Sequence, residues 1–234
     1  MTAVLTDIEG TTTDIAFVHE VLFPYARERL PDFVRAHAGD AAVAACLAEI
    51  NEIEKRELPL EDAIALLVEW SDADRKIKPL KTIQGLIWVD GYKDGALKAH
   101  VYGDVPPALA AWHESGIKLY VYSSGSIAAQ KLLFAHTDAG DLTPLFSGNF
   151  DTGTGAKTES ESYKKIAAAI GEEPAAILFL SDAVKELEAA RAAGVRCVLF
   201  DRERGTDAPP SSNGPFPVAS GFHQIDPRTD TGLA

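Results

Sequence analysis

The stretch Ala3-Val4-Leu5-Thr6-Asp7-Ile8-Glu9-Gly10-Thr11-Thr12 decides how the rest of the chain is read. Ala3–Ile8 is a short apolar run closed by an acidic, Gly- and Thr-rich turn, the pattern of a buried strand. Alternation places Asp7 and Glu9 on one side of the strand end, and Gly10 lets the chain turn sharply. Four further runs look alike: Ile117–Tyr122, Leu145–Phe150, Ala175–Leu180 and Val195–Phe200. Helical patterns at Pro107–Ser115, Ile127–His136, Glu159–Ile170 and Val184–Ala193 lie among them. This alternation predicts an α/β fold, a doubly wound parallel sheet with helices on both faces. Gly205–Gly214 reads as a loop, and Phe216–Ser220 as a final edge strand.

One interval breaks the alternation. His19–Ala38, Ala41–Arg56, Leu60–Ile77 and Leu80–Lys98 carry helical spacing or helix-rich composition, punctuated by Gly39-Asp40, Pro59 and Pro79. The expected division is a Rossmann-like core at 1–13 and 101–234, with residues 14–100 inserted after the first strand as a helical domain.

Composition narrows the function classes. The 234 residues include 22 Lys and Arg against 35 Asp and Glu, a net charge of −13, with 46% hydrophobic residues. That is core material enough to exclude a wholly disordered chain. An acidic surface repels polyanions, so neither nucleic acid nor an anionic membrane is expected as a partner. There is no basic N-terminal region of the signal-peptide kind and no run of 18 apolar residues. Cys46 and Cys197 sit in apolar surroundings and read as buried small hydrophobes, not as a disulfide or metal framework. A cytoplasmic monomer acting on a small molecule is the expectation.

In an open parallel sheet, ligands bind beyond the carboxyl ends of the strands. After the first strand come Asp7 and Glu9. After the second come Ser123-Ser124-Gly125-Ser126, hydroxyls and amides at a helix N-terminus suited to a phosphate. Lys157 follows Gly153-Thr154-Gly155-Ala156, before a helix that Thr158 and Glu161 are predicted to open as a capping box. Ser181-Asp182 ends the next strand, with Glu186 one turn into its helix. Each signal alone is ordinary: a solvated turn, a Ser cap, a solvated lysine. Together they converge on one crevice. Three carboxylates without a His or Cys cluster favour Mg²⁺ over zinc, and Mg²⁺ with Lys157 can neutralise a phosphate inside an acidic protein.

This constellation resembles the haloacid-dehalogenase superfamily of phosphotransferases, matched by Asp7, Glu9, Thr11, Ser123, Lys157 and Asp182. The helical interval lies where that superfamily inserts its cap, although Glu9 stands where Asp is usual. Longer strings are similar to the enolase-phosphatases of methionine salvage. They include Asp7–Thr12, Phe17-Val18, Leu22–Tyr25, Gln84-Gly85, Trp88, Gly91-Tyr92, Tyr122–Ser126, Gln130–Phe134 and Glu159–Tyr163. The likeness runs to about residue 200 and weakens in the tail.

The resemblance implies enolisation and dephosphorylation of 2,3-diketo-5-methylthiopentyl-1-phosphate with one Mg²⁺ per monomer. It implies Asp7, Glu9 and Asp182 as metal ligands and Ser123, Ser124 and Lys157 as substrate-binding residues. Asp7, Glu9 and Lys157 are then the catalytic set, Asp7 being the nucleophile. Trp88, Tyr92 and Phe17 are candidates for an apolar substrate pocket, though helix packing explains each more simply. Another capped phosphatase of the superfamily, or a non-catalytic module on its fold, remains an alternative. The six histidines show no ligand spacing.

Overall fold

A computed structural model describes residues 3–205, 208–212 and 214–234. The chain forms two compact units, Met1–Ile15 with Ala99–Ala234, and Ala16–Lys98.

The first unit opens with β1 (Ala3–Thr6), buried at every position. The helical unit follows, with α1 (Phe23–His37), α2 (Ala41–Glu54), α3 (Leu60–Asp72) and α4 (Lys78–Lys93). Leu30, Val34, Ile50, Leu67, Trp70 and Ile83 close its own core. The predicted helix over 19–38 is divided, because a π-helical segment, Phe17–Leu22, precedes α1. Pro24 falls at that change of register, where it has no N–H to continue an α-helical ladder. The predicted helix to Ile77 stops at Asp72, where the chain turns through Asp74 at positive φ.

The first unit then continues through α5 (Val105–Glu114), β2 (Lys118–Tyr122), α6 (Ile127–Ala135), β3 (Phe146–Phe150), α7 (Ser160–Ile170), β4 (Ile177–Ser181), α8 (Val184–Ala192), β5 (Arg196–Phe200) and β6 (Val218–Ala219). The six strands form one sheet in the order β3-β2-β1-β4-β5-β6, every pair parallel. Leu5, Tyr122 and Phe179 meet Tyr163 and Ile166 of α7 and Leu187 of α8 on one face. Val4, Leu119, Leu180 and Val198 meet Val105 and Leu109 of α5, with Phe222, on the other. A strand apolar on both faces needs cover on both, which the period-two alternation across β1 supplies. The predicted loop Gly205–Gly214 lies partly outside the described residues, and the predicted edge strand is reduced to β6. Cys46 and Cys197 are free and buried.

The strand order reverses direction at β1. The carboxyl ends of β1, β2 and β4 therefore surround one crevice.

Candidate active site

The turn after β1 is tightly wound. The Asp7 amide donates to Leu180 O at 2.9 Å, tying the turn to β4. The amides of Thr12 and Thr13 converge on Ile8 O, both at 2.9 Å, and Gly10 N–H donates to Thr13 O at 2.8 Å. Gly10 has φ +68°, and a Cβ there would overlap the Asp182 carboxylate. Only glycine lets this turn approach that carboxylate. Gly10→Ala is expected to lower turnover more than about 100-fold by pushing Asp182 away from Asp7, at a stability cost of about 1–2 kcal/mol. Steady-state kinetics and thermal melts check both.

The Asp7 carboxylate accepts from Ile8 N at 2.7 Å through Oδ1 and lies 2.6 Å from Lys157 Nζ through Oδ2. Lys157 Nζ also lies 2.7 Å from Glu186 Oε2. All three side chains are at least 84% buried, so the two contacts are strong charge-assisted bonds. Burial works to lower the Lys157 pKa, but the facing Asp7 and Glu186 charges outweigh it and hold the ammonium above its ordinary value. Glu186 is raised by burial and by repulsion from Asp7, against the pull of Lys157.

Lys157 lies on a loop, yet the loop is held from beneath. Tyr163 Oη donates to Lys157 O at 2.7 Å, Ser162 Oγ to Ala156 O at 2.7 Å, and Tyr122 Oη to Gly155 O at 3.0 Å. The predicted capping box does not form: α7 has Glu159 at its N-cap with no side-chain bond, and Ser162 is instead spent on the loop.

Ser123, buried at the end of β2, accepts from Gly125 N at 3.2 Å through Oγ, leaving its hydroxyl proton to give. Ser124 is exposed beside it. The α6 N-terminus is less open than the sequence suggests. Ser126 Oγ accepts from Ala129 N at 3.3 Å, and Asp151 Oδ2 takes the Ile127 amide at 3.2 Å. The buried Gln130 amide donates to Gly125 O and Phe150 O, both at 2.8 Å, fastening the serine loop to the end of β3.

Asp182 faces solvent on one side. Packing on the other side, followed by the Asp7 charge, holds its carboxyl above the usual carboxylate range. Two oxygen donors repelling one another form a site that a hard cation would relieve. Among the described residues, no three His, Cys, Asp or Glu side chains gather as a metal-binding group. Asp7, Glu9 and Asp182 thus form no preassembled three-carboxylate cage. The Asp7–Asp182 pair still fits Mg²⁺, which commonly binds through one or two carboxylates and keeps its remaining shell for water and substrate phosphate.

Glu186 is the residue that sequence reasoning placed only as a first-turn acid. Its approach to Lys157 depends on the Lys157 loop meeting the first turn of α8, which spacing along the chain does not reveal. In the helical unit, Phe17 and Tyr92 are buried, and the Trp88 indole N–H donates to Leu22 O at 2.9 Å. No helix of the described residues is long and apolar enough to cross a membrane.

A model of haloacid dehalogenase-like hydrolases matches residues 1–194. The chain is 57% identical over 205 residues to an Enolase-phosphatase E1 of Pseudomonas aeruginosa (strain UCBPP-PA14), covering 87% of this chain and 91% of that protein. It is 52% identical over 225 residues to the Enolase-phosphatase E1 of Serratia proteamaculans (strain 568), covering 96% of each. The crystal structure of the UTR4 protein from Saccharomyces cerevisiae superposes with a TM-score of 0.80 at 34% identity, covering 96% of this chain and 99% of that one. The chain is therefore an enzyme of the haloacid dehalogenase-like hydrolases and, within them, belongs to the enolase-phosphatase family.

Proposed function

We propose that this protein converts 2,3-diketo-5-methylthiopentyl-1-phosphate to the acireductone 1,2-dihydroxy-3-keto-5-methylthiopentene and phosphate, in methionine salvage. The observation that carries the reading is the buried Asp7–Lys157–Glu186 chain at the carboxyl edge of the sheet, in a protein more than half identical to enolase-phosphatases.

Asp7 attacks phosphorus in line through a carboxylate oxygen, the bond from phosphorus to the substrate oxygen breaks, and water hydrolyses the resulting aspartyl phosphate. Ile8 N–H on Oδ1 and Lys157 on Oδ2 orient the nucleophile. Lys157 also offers its positive charge to the equatorial phosphate oxygens, while the Ser123 and Ser124 hydroxyls donate to others. Glu9 takes the proton from the first substrate carbon in the enolisation. The departing enolate is conjugated to a ketone, so it needs little protonation as it leaves, which frees Glu9 for that task.

Asp7 and Asp182 would hold Mg²⁺, with Glu9 contributing from the same turn. When bound, the ion withdraws charge from phosphate and polarises the substrate carbonyl. One ion per chain is the proposed stoichiometry. Residues 1–13 and 101–234 are the catalytic core, and the inserted helical domain, 14–100, recognises the methylthio end of the substrate. We place the protein in the cytoplasm as a monomer, on the strength of its acidic composition and two buried, unpaired thiols.

The test incubates the purified chain with the diketone phosphate and Mg²⁺, following acireductone by absorbance and phosphate colorimetrically. Both products should appear together and both should stop when a chelator removes the metal. Phosphate without acireductone or its enol precursor would leave a phosphatase of different chemistry.

A further inference from the structure

Arg202 lies just beyond β5. Its guanidinium is one of the most heavily bonded groups in the first unit. Nε and Nη2 both donate to Thr11 O, at 3.0 and 2.7 Å. Nη1 donates to both Asp104 carboxylate oxygens, at 3.1 and 2.9 Å, and to Ser220 O at 3.1 Å. The plane rests on Tyr102, with Cζ 4.1 Å from the ring centroid. Only 8% of the side chain is exposed.

Thr11 belongs to the turn that carries Asp7, Glu9 and Gly10. Its amide bond to Ile8 O is long, at 3.3 Å, and its buried hydroxyl has no hydrogen-bond partner among the described residues. The carbonyl is therefore the handle by which this residue is held. Next along, Thr12 O accepts from Tyr102 N at 3.0 Å, so the outer side of the turn leans on Tyr102 and Arg202 together. Asp104, which also accepts from Phe222 N at 2.6 Å, balances the guanidinium charge beside it. An ion pair so balanced acts on the site through geometry more than through its field.

We propose that Arg202 is a positioning residue for phosphoryl transfer, holding the Asp7–Thr13 turn through the Thr11 carbonyl so that the Asp7 carboxylate stays aimed at phosphorus. The fork suits arginine alone: two nitrogens on one carbonyl and a third on a carboxylate require a planar guanidinium, which one ammonium cannot copy. The proposal rests on Asp7 being the nucleophile.

The test uses the full chain with Mg²⁺ and the diketone phosphate, comparing Asp104→Asn, Arg202→Lys and the double variant Arg202→Met/Asp104→Asn with wild type. Asp104→Asn keeps the fork on Thr11 and should hold kcat within about threefold, whereas the double variant should lose about 10- to 100-fold in kcat with KM within about threefold. Guanidinium at a non-denaturing millimolar concentration should restore part of that kcat, and should do nothing for wild type. Arg202→Lys should stay about tenfold or more below wild type, and it decides the matter if the double variant does not fold. Wild-type kcat in Arg202→Lys, or a folded double variant matching Asp104→Asn, would overturn the role. Asp7→Asn is assayed alongside. Turnover there overturns the nucleophile assignment and this role with it, while an inactive Asp7→Asn beside a fully active Arg202→Lys overturns this role alone.

Discussion

Asp7→Asn is expected to cut phosphate release by about 10⁴-fold or more and to leave the melting temperature unchanged or higher. A carboxamide keeps the shape of the side chain, and its oxygen can still accept from Ile8 N, so the turn is kept, while its NH2 takes the Oδ2 place and turns Lys157 toward Glu186 alone. It has no anionic oxygen with which to attack phosphorus. The stability half of the prediction follows from charge. Asp7 pushes the carboxyls of both Asp182 and Glu186 upward, so removing its charge relieves two repulsions. Lys157 loses one partner and keeps Glu186 at 2.7 Å. Phosphate release and thermal melting, measured on one preparation, check both halves. Turnover near wild type would remove Asp7 as nucleophile.

Lys157→Met is expected to fail in the opposite manner, losing stability as well as turnover. Without the ammonium, Asp7 and Glu186 remain buried with no cation between them, and breaking such a pair costs about 3 kcal/mol. In a chain of this length that corresponds to an apparent melting temperature lower by about 6–12 °C. Turnover should fall by about 10³-fold, because the charge that steadies the equatorial oxygens is gone. Lys157→Arg should recover part of the melting temperature and little of the turnover, since a guanidinium supplies charge but cannot place one nitrogen where Nζ sits. Equal losses of turnover with no change in melting would mean that Lys157 does not bridge the two carboxylates.

The contrast between these variants marks what could be read from the sequence. Short runs bounded by turn residues located all five main strands to within two residues; β1 and β4, buried at every position, leave an unbroken apolar signature, whereas the half-buried β3 is marked by its flanking Phe146 and Phe150. Asp7, Ser123 and Asp182 could be singled out because each follows a strand run, and Lys157 because it follows Gly153-Thr154-Gly155-Ala156 just before a helix. Glu186 could not, since its partner lies on a loop whose path is set by Tyr122, Ser162 and Tyr163 from two other elements. The capping box at Thr158 and Glu161 failed for a related reason, as tertiary bonds from Ser162 claimed the loop. The division of the 19–38 helix turned on Pro24, whose effect on register depends on the π-helical segment ahead of it. Gly10 was legible as a turn residue, but what its missing Cβ makes room for was not.

The central place of β1 bears on how the chain is made. Ala3–Thr6 pairs with Lys118–Val121 on one side and with Ile177–Leu180 on the other. A ribosome adding roughly 5–20 residues per second therefore releases this apolar strand on the order of ten to thirty seconds before its second neighbour exists. The helical unit, Ala16–Lys98, is complete about 20 residues before β2 begins and about 80 before β4. The strand that leads into Asp7 is thus the first piece of the sheet to be translated and among the last to be sheltered, which makes nascent chains that end before β4 the form that most needs a chaperone.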